Sequence, residues 1–477
     1  IGPLLPCSRV PPIIQTAPPP DSAGCGYTAV TGPADRPAVD DYSGALRFLD
    51  QFVNLEASAG RIHGLSLDAM SGLVRAMGNP QYDVRTVHVT GTNGKGSVSA
   101  MVSALLGAAG LRVGAYTSPH VDTVRERLAI DGQPIVEDAF TDLVADLERY
   151  AGVVATAPSY FELLTAAAFL WFSNEAVDAA VVEVGLLGRF DATNVCDSTV
   201  SVITNIGRDH TDGTGDWRRD IAREKAGIIS AGQPLVLGET SIDLLEVFTA
   251  ESPEPLLVAG SDFGVSGAEQ AVGGQLIELW TPAGRHEEVF LPMHGDHQAD
   301  NAATALMAAE AFLDTPLSSE VVADGLGAAR VPGRLEVVAT EPLVVLDGAH
   351  NQDAARALAA AVPTVFPAGR RILVVGTLGP REPTEFLDEL VALSPDLVVA
   401  CTAPSPRAVQ AADLAVLLRE RRIEVEVVPD AVDAVRLAVA AADESDLVLV
   451  TGSFYVLAAA RAALGDVVDL DEDGFDT

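Results

Sequence analysis

Lysine is almost absent from this chain. Of its 30 basic residues only Lys95 and Lys225 are lysine, and the rest are arginine. An arginine is a planar fork that stays protonated, whereas a lysine is a compact ammonium that lies against a phosphate or gives up its proton to act as an amine. The two lysines therefore mark places where a guanidinium would fail. Cysteine is scarce as well. Cys7, Cys25, Cys196 and Cys401 form no C-x-x-C pair, which speaks against a disulfide framework or structural zinc and for a reducing, cytoplasmic setting. No charge-free run of about 18 apolar residues occurs, so no membrane span is expected. Basic charge is in deficit: 67 acidic residues against 30 basic ones leave a net charge of −37. That disfavours nucleic acid and anionic membranes as partners and leaves any anion binding to local geometry.

What is present suits a large globular protein. The chain has 477 residues, 48% of them hydrophobic, enough for two or more domains with separate cores. Residues 1–38 are rich in proline, glycine and alanine and read as a disordered tail or a misplaced start. From about residue 40 apolar strands alternate with helical stretches. Val84–Thr90, Leu111–Tyr116, Val177–Val184 and Thr199–Thr204 read as buried parallel strands, and Asp41–Glu56, Ser97–Ala109, Phe161–Phe172 and Asp300–Leu313 as helices. Between about 234 and 291 shorter, glycine-bearing strands suggest a partly antiparallel flank. A second series of strands runs from Glu336 to Val450. The expected fold is α/β: a P-loop, doubly wound, mostly parallel sheet over 39–329 and a smaller Rossmann-like α/β domain over 330–466. An acidic tail, 467–477, follows.

The residues that carry chemistry fall in three groups. Gly91-Thr92-Asn93-Gly94-Lys95-Gly96-Ser97 lies between a strand and a helix, where exposed amides and a lysine favour a polyphosphate. It departs from the literal G-x-x-x-x-G-K-[ST] pattern because Gly96 separates Lys95 from Ser97, whose hydroxyl could bind Mg²⁺. Ser118, Glu183 and His210 lie at or just past the carboxyl ends of three strands, where hydroxyl, carboxylate and imidazole converge as such sheets bind ligands, and the oxygens among them suit Mg²⁺. Taken alone, His210 reads more readily as a helix-capping or packing histidine, and the company of Glu183 and the glycine loop reverses that. Lys225, in Arg223-Glu224-Lys225-Ala226-Gly227-Ile228, is either a solvated lysine paired with Glu224 or part of the site. Arg127 is open between a substrate carboxylate and a surface ion pair.

Nine motifs in order resemble one family. They are the glycine loop, Tyr116-Thr117-Ser118-Pro119-His120, Phe161-Glu162, Glu183-Val184-Gly185, Gly188-Arg189-Phe190-Asp191-Ala192-Thr193-Asn194, Asp209-His210, Glu224-Lys225-Ala226-Gly227-Ile228, Pro332-Gly333-Arg334 and Leu346-Asp347-Gly348-Ala349-His350-Asn351. Together they resemble dihydrofolate synthase/folylpolyglutamate synthase, the folate branch of the Mur-type ATP-dependent amide ligases. The resemblance covers about residues 40–465. It implies a monomer that uses ATP and two Mg²⁺ ions to join L-glutamate to dihydropteroate or a reduced folate through an acyl phosphate. It further implies that Lys225 is carbamylated and holds metal together with Ser97, Ser118, Glu183 and His210. Thr92, Asn93, Gly94, Lys95, Gly96, Ser97, Asn301, Arg334 and Asp347 would contact ATP, and His350 would lie near the phosphates. Ser159, Tyr160, Phe161 and Glu162, with Phe190, Asp191 and Ala192, would line a pterin pocket, joined more loosely by His63 and Gly64.

Two departures stand out. Leu187 replaces a glycine of the family's Glu-Val-Gly-x-Gly-Gly, a strain if that turn needs positive φ. Residues 376–383, Gly-Thr-Leu-Gly-Pro-Arg-Glu-Pro, replace a segment that usually carries Asp-Lys-Asp. Rival readings are a cell-wall ligase, disfavoured by Gly348, and a nucleotide-binding regulator without catalysis.

Overall fold

The computed structural model describes residues 39–54, 66–208, 215–379 and 383–465. Eight strands form the larger sheet: β1 (Thr86–Thr90), β2 (Val113–Tyr116), β3 (Leu128–Ile130), β4 (Gln133–Pro134), β5 (Ala179–Glu183), β6 (Ser198–Ile203), β7 (Leu235–Leu237) and β8 (Leu256–Val258). Their spatial order is β4-β3-β2-β5-β1-β6-β7-β8. β2, β5, β1, β6, β7 and β8 run parallel, and β3 and β4 add an antiparallel edge. β1 and β5 at the centre are buried at every position, because helices cover both faces. Val87, Val89 and Val181 join a core with the helices Lys95–Ala108 and Asp296–Leu313. Ala180 and Val182 point the other way, into a core with the helices Tyr42–Leu49, Glu137–Ala151 and Tyr160–Asn174. Strand side chains alternate between faces, so apolar residues at consecutive positions fill both cores.

The flank from 234 to 291 is antiparallel in part, as expected. β7 and β8 extend the parallel sheet, with the helix Ile242–Thr249 between them. Only β9 (Gly264–Ala271), β10 (Gly274–Thr281) and β11 (Gly284–Leu291) form the antiparallel sheet. The first helix also ends sooner than its spacing suggested, at Leu49 rather than Glu56.

The second α/β domain has strands β12 (Glu336–Thr340), β13 (Leu343–Asp347), β14 (Arg371–Val375), β15 (Leu397–Ala400), β16 (Val425–Val427) and β17 (Leu447–Thr451), ordered β12-β13-β17-β14-β15-β16. All but β12 are parallel. The α/β expectation is thus met in both domains. Cys196 and Cys401 are free and buried, while Cys7 and Cys25 lie outside the described residues. Among the described residues no helix is long and apolar enough to cross a membrane.

Phe172 shows how tightly the second core closes on the sheet. It is fully buried, and a side-chain carbon at Gly114 of β2 would come within 2.6 Å of its ring. Phe172→Ala should cost about 3–5 kcal/mol of stability, read as a fall in the urea midpoint with an unchanged slope.

Candidate active site

β1 delivers the glycine loop to the carboxyl edge of the sheet. A side-chain carbon at Gly91 would overlap the Thr204 hydroxyl, which donates to Asn93 O at 2.5 Å. At Gly94 φ is +82°, and a Cβ would approach Asn301 Oδ1 to 2.6 Å. Glycine is therefore needed at both positions, and Asn301 lies against the loop. Thr92 and Asn93 are held from within the protein. Asn205 Oδ1 accepts from their amides at 3.2 and 3.0 Å, and Thr92 Oγ1 accepts from Gly207 N at 3.0 Å. Asn351 Nδ2, from the C-terminal domain, donates to Asn93 Oδ1 at 2.9 Å. The amides at the start of the Lys95–Ala108 helix, those of Lys95, Gly96 and Ser97, have no acceptor within the helix and face the open end of its dipole.

The two lysines meet at one atom. Lys95 Nζ donates to Gly91 O at 3.0 Å and to Thr92 O at 3.3 Å, and Lys225 Nζ donates to Gly91 O at 2.8 Å. Lys225 is 1% exposed, so the solvated-lysine alternative fails. The helix Trp217–Ala226 brings it there by packing on the Gly188–Asn194 segment. Arg189 N donates to Glu224 O at 2.9 Å and Asn194 Nδ2 to Gly227 O at 3.0 Å.

Glu183 ends β5 beside these groups. Its Oε2 accepts from Ser118 N at 3.3 Å and would lie 3.6 Å from a Cβ on Gly96. Burial pushes its carboxyl up to about 7, although Lys95, Ser118 N, Arg334 and Arg127 all favour the charged form. Ser97 Oγ is buried with no hydrogen-bond partner. An orphaned hydroxyl on the residue after Gly96, together with a desolvated carboxylate lying against Gly96, is a donor set that fits Mg²⁺, which keeps much of its shell as water and phosphate oxygen. Among the described residues no three His, Cys, Asp or Glu side chains cluster as a metal site by themselves. His210 lies outside the described residues, as do His63, Gly64 and residues 380–382. Ser118 lies two residues past β2 rather than at its end. Arg127 is not on the surface: it is 3% exposed and its Nε donates to His120 Nδ1 at 2.9 Å.

The C-terminal domain contributes Arg334, whose guanidinium lies 4.8 Å over the Phe454 ring. Its charge acts on both Glu183 and Asp347. Asp347 is buried, which pushes its pKa up, and its carboxylate accepts from Leu335 N at 3.0 Å and Ala349 N at 2.9 Å. It shapes the turn that presents Arg334. His350 is exposed, with Nδ1 2.8 Å from Gly348 O.

The expected pterin-pocket residues divide in two. Ser159 and Glu162 form a capping box at the start of Tyr160–Asn174, with bonds of 3.2 and 2.7 Å. The Asp191 carboxylate accepts from Leu186 N, Thr193 N and Thr193 Oγ1 at 2.8, 3.0 and 2.5 Å. These three polar side chains shape backbone. Tyr160 and Ala192 are buried, Phe161 packs on Tyr116 at 5.9 Å, and Phe190 is 42% exposed. Leu187 does take the strained conformation, with φ +60°, and its carbonyl accepts from Thr90 Oγ1 at 2.7 Å.

Sequence reading assigned no role to Asn205, Asn351 or His297. Asn205 had one usable signal, its place just past β6 next to β1. Burial lowers the pKa of His297, and the charges of Asp347 and Arg334 both act on it. Its sequence surroundings gave no hint of that company.

Comparison with known proteins gives these residues a class. The Mur ligase middle domain matches residues 89–309, and the Mur ligase glutamate ligase domain matches 333–454. The chain is a Mur-type ligase. It is 38% identical over 441 residues to the dihydrofolate synthase/folylpolyglutamate synthase of Mycobacterium tuberculosis, covering 84% of this chain and 90% of that protein. Its fold matches the M. tuberculosis folylpolyglutamate synthase complexed with ADP and AMPPCP, with a TM-score of 0.82 and 35% identity over 89% of this chain and 99% of that one. It also matches Escherichia coli FolC in complex with DHPP and ADP, with a TM-score of 0.80 and 30% identity over 90% and 99%. The chain belongs to the dihydrofolate synthase/folylpolyglutamate synthase family.

Glu183 has a pH signature. Its carboxyl is raised from 4.5 to about 7 in the fold, so its contribution to stability is fully present below 4.5 and lost as pH rises to about 7. In metal-free protein Glu183→Gln should raise Tm at pH 8 and change it little at pH 5. An equal shift at both pH values would contradict this.

Proposed function

We propose that this ligase joins L-glutamate to the carboxylate of dihydropteroate, of a reduced folate, or of both, at the expense of ATP. The observation that carries the reading is the meeting of Lys95 and Lys225 at Gly91 O, under a phosphate-type loop and beside Glu183, with Arg334 arriving from the second domain. We place the division between the domains at 329/330.

The acceptor carboxylate attacks the γ-phosphorus of ATP, giving an acyl phosphate and ADP. The amino group of glutamate, once deprotonated, attacks the acyl carbon, and phosphate leaves. The amides of Lys95, Gly96 and Ser97 hold phosphate oxygens at the helix N-terminus. Lys95 swings from Gly91 O towards the transferred group and offsets the charge that develops there. Arg334, stiffened on Phe454, supplies a second cation. Two magnesium ions held among Ser97, Ser118, Glu183, His210 and carbamylated Lys225 would spread the charge on the phosphoryl oxygens. Carbamylation suits Lys225: a buried amine that adds CO₂ and releases a proton becomes an anion, and Lys95 lies beside it to balance that charge. An arginine is too weak a nucleophile for this step. Asn301 and Asp347 flank the nucleotide, His350 lies near its phosphates, and Phe161 and Phe190 offer aromatic faces to a pterin ring.

The test is phosphate release with Mg²⁺-ATP and L-glutamate, comparing 7,8-dihydropteroate with tetrahydrofolate. Turnover with either supports the reading, and turnover with both makes the protein bifunctional. Lys95→Ala and Arg334→Ala should each lower kcat by about 10²–10³-fold while the protein stays folded. Near-normal rates in both variants, or no turnover with either acceptor, would sink it.

A further inference from the structure

One loop of the larger domain is anchored in the smaller one. Residues 117–127 follow β2 and carry Ser118 and His120. Val121, 9% exposed, belongs to the apolar core of the C-terminal domain, together with Leu346, Val456 and Leu457. The loop behind it is rigid, because the Glu126 carboxylate accepts from three successive amides, Val121, Asp122 and Thr123, at 2.9, 2.9 and 2.7 Å. Thr117 N donates to Arg127 O at 3.0 Å and closes its base.

Asp122 continues the connection in polar form. Arg461 Nη1 reaches Asp122 Oδ2 at 3.3 Å, and Arg461 Nη2 grips Glu336 at 2.7 and 2.8 Å. Glu336 Oε2 in turn accepts from Gly333 N at 2.7 Å. The chain of contacts ends at the residue before Arg334. Arg461 lies on the helix Phe454–Gly465, and that helix holds the same turn at two other points. Phe454 lies under the Arg334 guanidinium, and Leu457 would meet a Cβ on Gly333 at 2.6 Å. Residues 454, 457 and 461 are spaced to share one helix face.

We infer that Arg461 and Asp122 are positioning residues: with Val121 they form a strut that fixes the Ser118 loop and the Arg334 turn relative to each other. The inference rests on the proposed roles of Ser118 and Arg334. The ion pairs are partly exposed, with side chains 30%, 46% and 28% accessible for Arg461, Asp122 and Glu336. Isolated pairs of that kind add little to stability. Here they tie two parts of one site, and misplacement of reacting groups by a fraction of an ångström lowers rate far more than it lowers stability.

The experiment uses the full chain with Asp122→Asn, Arg461→Gln and the double variant. Each single change should lower kcat about tenfold and leave the KM for ATP within roughly twofold, and the double should be no worse than the poorer single, the non-additivity expected of groups that act as one unit. Arg461→Lys, which keeps the charge but not the fork, should recover part of the rate. Thermal unfolding recorded alongside separates a structural role, which would lower Tm and leave kcat per folded molecule unchanged. Additive losses, or single-variant rates within about twofold of the parent, overturn the strut. Amide exchange tests it without turnover: Arg461→Gln should speed exchange at 121–123 and at Gly333, and unchanged exchange at both overturns it. Loss of turnover in the parent chain would count against the functional reading alone, because exchange would still decide the strut.

Discussion

The carbonyl of Gly91 is the atom on which the site is organised. It accepts from both lysines of the chain, and it can do so only because the strand-to-helix turn is bare. A side chain at 91 would meet Thr204, and one at 94 would meet Asn301. Thr204 and Asn205, past the neighbouring strand β6, then hold Thr92 and Asn93 in place. Pinning the first half of the loop in this way leaves its second half, at the helix start, to bind an anion. It also explains why lysine survives here in a chain that otherwise uses arginine. A point ammonium on a flexible stem can share one oxygen with another and then move to a phosphate, which a five-donor fork cannot do in the same space.

Electrostatics at the site are a balance between burial and nearby charge. Glu183 is raised by desolvation and pulled back by Lys95, Arg127 and Arg334. One of those cations belongs to the second domain, so the charge state of Glu183 and the docking of the two domains are linked. Asn351 to Asn93 and Arg208 to Glu385 (2.6 Å) cross the same boundary. They cross it alongside Val121, which is buried in the C-terminal core, and the Asp122–Arg461 pair.

Much of this was legible along the chain. Buried parallel strands read directly as continuous apolar runs, because both faces of the sheet are covered, and β1, β5 and β6 fall within a few residues of where the pattern put them. The glycine loop was visible from its position between strand and helix, and Lys225 from its rarity. The stretch from 234 to 291 read as partly antiparallel and is so, but the point of division was not legible, since the three-residue strands β7 and β8 carry no periodicity that separates parallel from antiparallel pairing. Arg127 was open between a substrate carboxylate and a surface ion pair, and its burial rules out only the second. Its burial depends on His120, seven residues earlier, folding back to it.

By itself the sequence determined what is local: the period of the strands and helices, the turn that only glycine can make, and the residue types able to do phosphoryl chemistry. Tertiary structure alone decided which side chains use their polar atoms on each other. Ser159, Glu162 and Asp191 are engaged in backbone geometry, Asn205 and Asn351 became part of the loop, and Val121 entered the core of another domain. Those outcomes rest on contacts between residues tens to hundreds of positions apart, and hydrogen-bond partners chosen at that range leave no periodic trace in the chain.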